Sequence, residues 1–178
     1  MDDIADKLGC SKKTLYVFFE NRKDLVLKVI SNDMKKHELE ISNVIAEKLH
    51  PIEEILNLNV IAINKLKTCH PSFQYDLKKY YPQSWNIFDK KNRQLTYKVS
   101  IQNLKKGINE GCYRKEINPE IISKIFSEKI DVIFNSLAFE AINVSFSDVY
   151  KELINHHILG IVNEEGRKYY LNFQKTTK

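Results

Sequence analysis

Apolar residues along this chain recur with the spacing of helices buried on one side, and short polar or glycine-bearing breaks separate the periodic stretches. Residues 2–8 place Ile4, Ala5 and Leu8 on one face, with Asp2 and Asp3 in the first turn, where the helix dipole favours acids. Gly9 can adopt the left-handed conformation that a helix end needs, so it terminates this element. Ser11 is a good N-cap for a second helix over 12–19. That helix turns Leu15 and Phe19 inward and Lys12, Lys13, Tyr16 and Val17 outward. Asn21, with Asp24 three residues on, opens a long helix over 21–49 in a capping-box arrangement. Its stripe is Val26, Ile30, Met34, Ile41, Val44 and Ile45, and His50-Pro51 breaks it.

Proline is well placed at the first position of a helix, so Pro51 opens the next one, over 51–67. It is apolar almost all round (Ile52, Ile55, Leu56, Leu58, Val60, Ile61), the pattern of a buried central helix. Helices follow over 71–80 and 83–110, the second capped by Gly111. Asn118-Pro119 opens a helix over 119–143, and Ser147 caps one over 147–162. From Gly166 the chain reads as a polar tail. In 119–143 the stripe Ile122, Phe126, Ile130, Ile133, Leu137 is widened by Ile121, Ile125, Val132 and Phe139, so this helix needs two surfaces to pack against. In 147–162 Val149, Leu153, Ile154, Ile158, Ile161 and Val162 repeat the pattern, with Gly160 permitting close approach. Five glycines and four prolines among 178 residues, with no strand pattern, repeat or low-complexity segment, predict an all-α fold.

A helix, a tight turn and a short second helix with lysines and a tyrosine on its outer face is the requirement of a helix-turn-helix. The run Ile4-Ala5, Gly9, Ser11, Thr14-Leu15-Tyr16, Phe19 and Leu25 resembles the DNA-binding signature of the tetracycline-repressor (TetR) family. Arg22 stands where the family usually has lysine, which keeps a phosphate-binding charge. The family normally begins with one further helix, so the resemblance implies a first helix ahead of Met1 that is either missing or simply not seen. It implies a helix-turn-helix segment with its connecting helix over 1–48, then a helical effector-binding and dimerisation domain over 49–178. It also implies a DNA-facing set of Ser11, Lys12, Lys13, Thr14, Tyr16, Val17 and Arg22, in which Lys12 and Lys13 reach base edges. By the same resemblance Thr14, Tyr16 and Arg22 would hold phosphates, and Val17 would be placed to touch a thymine methyl. In this family the final helices of two subunits form a four-helix bundle, so 119–143 and 147–162 are expected to make a homodimer, with Leu137 and Ile154 at the interface.

Charge alone would not have led there. The net charge is +5, yet residues 1–50 hold nine Lys/Arg and nine Asp/Glu, so only Lys12, Lys13, Arg22 and Lys23 form a local basic cluster. No apolar run is long enough to span a bilayer and no signal-peptide pattern is present, which predicts a cytoplasmic protein without a membrane partner. Cys10, Cys69 and Cys112 are odd in number and far apart, against a disulfide framework. The histidines lack metal spacing, and no nucleophile, acid–base or phosphate-loop signature appears. No enzyme activity, metal or cofactor is therefore expected. Polar residues within apolar stretches, Asn57, Asn64, Asn103 and Asn135, and the aromatics Tyr75 and Trp85 are candidates to line an effector pocket. With no Arg or Lys on the apolar face of 51–64, the effector would be a neutral or weakly charged lipophilic compound. The reading is a ligand-responsive repressor that binds a double-stranded operator as a homodimer. The alternatives are a helical small-molecule-binding or dimerisation module without DNA-binding activity, and a helical enzyme.

Overall fold

The structure, a computed structural model, describes residues 1–68, 70, 72–134 and 144–176. Nine helices run through the described residues: α1 (Asp2–Lys7), α2 (Lys12–Phe18), α3 (Arg22–Ala46), α4 (Pro51–Thr68), α5 (Phe73–Tyr80), α6 (Pro82–Asn109), α7 (Pro119–Phe134), α8 (Phe146–Ile161) and α9 (Glu164–Thr176). The sole β-type pairing among them is an isolated bridge between Tyr113 and Val162. No helix of the described residues is long and apolar enough to cross a membrane.

Three apolar clusters hold the chain. The main core joins Ile52 and Ile55 of α4, Leu104 of α6, Tyr150, Ile154, Ile158 and Ile161 of α8, and Tyr170 of α9. A second cluster packs Ile30 and Met34 of α3 on Leu77 of α5, with Phe73, Trp85 and Phe88 around them. The third is small: Met1, Ala5 and Leu15, flanked by Ile4, Cys10 and Leu25. Thus α3 starts against the small unit and runs on into the larger body.

Four expectations need correction. The segment after Val162 is a helix, not a polar tail. Asn163 supplies the cap, its Oδ1 accepting from Gly166 N at 2.9 Å, and Tyr170 packs into the main core. Gly166 is present because α9 crosses the Cys112 backbone there; a Cβ would sit 2.1 Å from the Cys112 carbonyl oxygen. Helix α8 is capped by Ser145 instead of Ser147, with Ser145 Oγ accepting from Asp148 N at 3.2 Å. A serine with an acid three residues on closes a cap, and Ser147 has Tyr150 at that position. Helix α3 ends at Ala46, and Lys48 takes the left-handed conformation (φ 51°) that turns the chain into α4. Ile154, expected at a subunit interface, is 5% exposed and belongs to the main core, because α8 turns that face onto α4. Leu137 lies outside the described residues.

Candidate DNA-reading unit and effector cavity

Local caps build the N-terminal unit. Gly9, at φ 62°, closes α1 with two bonds: Gly9 N donates to Asp6 O and Cys10 N to Ala5 O at 3.0 Å. One residue later Ser11 Oγ accepts from Thr14 N at 3.0 Å and starts α2. The turn is therefore pinned on both sides. Leu15 is the buried residue of α2, while Lys12, Lys13, Thr14, Tyr16 and Val17 are exposed, Val17 at 74%. Phe18, next along the helix, is open to solvent as well. Lys12 Nζ reaches Asp2 at 3.0 Å; that hydrogen bond raises the Lys12 pKa and lowers that of Asp2. Arg22 is exposed at the first turn of α3. The side chains expected to face DNA thus share one exposed helix with its flanks.

Lys28, which the sequence reading passed over, ties this helix to α3. Its ammonium donates to Phe18 O at 3.0 Å, binds Asp24 Oδ2 at 2.8 Å and lies 5.5 Å above the Phe19 ring. Asp24 in turn accepts from Glu20 N at 3.0 Å and donates its own N–H to Asn21 Oδ1, a variant of the capping box shifted by one residue. The signal was available: lysine four residues after aspartate on a helix.

The other end of α3 borders the larger body. A cavity of about 90 Å³ lies among α3, α4, α6, α7 and α8. His37 and Ile41 line it from α3, Leu58, Asn59 and Ala62 from α4, Thr96 and Val99 from α6, Phe126 from α7 and Tyr150 from α8. A polar groove between α3 and α4, lined by Asp33, Lys36, His37, Asn64 and Lys65, opens on its outer side. His37 borders both. Its pKa is lowered by burial and by Lys65, so the imidazole is neutral at pH 7.

The six residues expected to form a pocket are not brought together. Asn103 borders the cavity, but its amide is occupied: Nδ2 donates to Pro51 O and Glu54 Oε1 at 2.9 Å, and Oδ1 accepts from Tyr113 Oη at 2.9 Å. Asn64 is exposed in the outer groove, and Asn57 is half-buried elsewhere on α4. Tyr75 is 62% exposed on α5. Trp85 packs in the α3–α5–α6 cluster with Lys78 Nζ 4.5 Å above its ring. Asn135 lies outside the described residues. The buried polar residue of α4 that does face the cavity is Asn59, at 6% exposed, which the sequence reading missed. No group of three or more His, Cys, Asp or Glu among the described residues is placed to hold a metal ion.

The all-α architecture, with a capped two-helix unit leading into a long connecting helix and a helical body, is a TetR-like fold. The chain is similar to the ketosteroid transcriptional regulator KstR2 of Mycobacterium tuberculosis (TM-score 0.63, 17% identity, covering 92% of this chain and 84% of that one). It is also similar to the fatty acid degradation regulator FadR from Bacillus halodurans (TM-score 0.65, 16% identity, covering 88% and 82%). In sequence it is 28% identical over 92 residues to the HTH-type transcriptional regulator YvaF of Bacillus subtilis, itself uncharacterised. That stretch is 50% of this chain and spans 47% of the curated relative's length. No family model matches the chain.

Proposed function

We propose that the chain is a DNA-binding transcriptional regulator, a ligand-responsive repressor that acts as a homodimer on a double-stranded operator. The observation that carries this reading is the exposed outer face of α2, fixed by its caps and by Lys28 to a helix whose far end lines the cavity. Residues 1–48 form the DNA-reading segment and 49–178 the effector and dimerisation domain. Ser11, Lys12, Lys13, Thr14, Tyr16, Val17 and Arg22 face the DNA. An effector in the cavity pushes on His37 and Ile41, tilts α3 and changes the separation of two recognition helices that must enter successive major grooves. The names of the structural neighbours, one for ketosteroids and one for fatty acid degradation, support a lipophilic effector. The protein works in the cytoplasm, where such an operator resides.

The test is binding of the complete protein to DNA from upstream of its own gene, followed by selection from random duplexes. Lys13→Ala should cost about 1–3 kcal/mol on the selected site and relax specificity at one position. Arg22→Ala should weaken all duplexes alike and reduce the salt slope by about 0.9, one phosphate contact. Failure of the complete protein to retain any duplex would overturn the reading.

The homodimer is assigned to α7 and α8. Ile121 and Ile125 stand 57% and 46% exposed on the outer face of α7, bordering a groove against α6, and a second copy would cover them. Ile121→Glu combined with Ile125→Glu should leave the fold intact and convert a dimer into a monomer by light scattering. A parent chain that is already monomeric at micromolar concentration would refute this assignment.

A further inference from the structure

The cavity holds a hydrogen-bonding group that the fold leaves unused. Asn59 lies on its wall, with only 6% of its surface exposed. Its Oδ1 accepts from Tyr150 Oη at 3.0 Å, and burial pushes the Tyr150 phenol well above its ordinary pKa, so the phenol stays a donor. That bond fixes which end of the amide is free. Asn59 Nδ2 is buried and has no partner. A buried donor without an acceptor is costly and uncommon in a settled core. The rest of the wall explains what the acceptor is not part of. Ile41, Ile55, Leu58, Ala62, Val99 and Phe126 make it mostly apolar, and no Lys, Arg, Asp or Glu lines it. An ion placed there would meet no countercharge, so a charged ligand is disfavoured.

We propose that this cavity binds a compact, neutral, largely apolar molecule that presents one acceptor oxygen, a carbonyl above all, to Asn59 Nδ2. The inference rests on reading the helical body as the effector domain, and it names the chemistry that domain selects. At about 90 Å³ the resting cavity accommodates only a few non-hydrogen atoms. A larger member of the class has to part α3 from α4, where His37 borders both the cavity and the outer groove. Ligand size is thereby converted into movement of the helix that carries α2.

The experiment uses the full chain without DNA, so its outcome is independent of whether an operator is ever found. Cyclobutanone is titrated against methylenecyclobutane, which has the same shape with a CH₂ group in place of the oxygen, and against cyclobutanecarboxylate. The side-chain amide signals of ¹⁵N-labelled protein report contact at Asn59, assigned by their loss in Asn59→Leu. The ketone should shift the Asn59 signals and bind about tenfold tighter than the hydrocarbon, with the carboxylate weakest. In Asn59→Leu that preference should vanish while the hydrocarbon still binds. Equal binding of ketone and hydrocarbon by the parent protein, or saturation by the ketone with the Asn59 signals unmoved, would overturn the proposal. Should Asn59→Leu fail to fold, the preference of the parent protein for the ketone over the hydrocarbon decides the matter alone.

Discussion

Replacing Lys106 with methionine is expected to destabilise the fold by about 3–5 kcal/mol, the cost of leaving a buried charge without its partner. The partner is Glu54, whose side chain is 5% exposed; Lys106 Nζ lies 2.7 Å from Glu54 Oε2. The ammonium also donates to Leu49 O, while Asn103 donates to both Pro51 O and Glu54 Oε1. Together these groups clamp the corner between α3 and α4 onto α6. Methionine keeps the apolar stem of the lysine, so packing changes little and the charge is what is lost. Glu54→Gln in the same background removes the stranded carboxylate yet keeps an acceptor for Asn103. It should recover more than half of the loss. Urea unfolding of parent, single and double variants measures both effects. A single-variant cost below about 1 kcal/mol, the range of an exposed ion pair, would show that this pair is not a buried clamp.

That network marks the boundary of what the sequence can express. The N-terminal unit was legible because its determinants are local: Gly9 ends one helix, Ser11 starts the next, and Asn21 and Asp24 cap a third, all within 25 residues. Helix α9 was not, because Gly166 reads as a break unless one knows that the Cys112 backbone crosses it. The pocket residues failed for a different reason. A helix apolar almost all round does not reveal which of its asparagines faces the core. Partners distant in sequence settle that, and here α8 supplies Tyr150 to Asn59, 91 residues away. Asn103 was recognisable as a buried amide, but the groups that satisfy it lie 49 and 52 residues upstream. Glu54 is an acid in the first turn of α4, a position that gives no sign of burial; only the fold buries it.

Acidification should weaken the fold through His157. Burial between α7 and α8 brings its pKa down to about 4 from 6.5, and Lys129 and His156 push the same way. The imidazole stacks on Phe126 with centroids 4.4 Å apart, and its Nε2 has no partner. Because the folded-state pKa lies below the unfolded one, the unfolded chain binds a proton that the folded chain refuses between these values. The associated stability is complete above about pH 6.5, falls as the pH drops through the window, and the loss levels off near pH 4. With the side chain only 8% exposed, solvent screening is small, and the shift corresponds to about 3 kcal/mol. His157→Leu removes the titrating group while keeping an apolar neighbour for Phe126. Between pH 7 and pH 4.5 the parent protein should therefore lose about 2–3 kcal/mol more than this variant in urea unfolding. The carboxylates held below their ordinary pKa, Asp2, Asp24, Glu120, Glu128 and Asp148, are common to both proteins and cancel in the comparison. Parallel loss in the two proteins would mean that His157 accepts its proton in the folded state, and that the α7–α8 contact admits water.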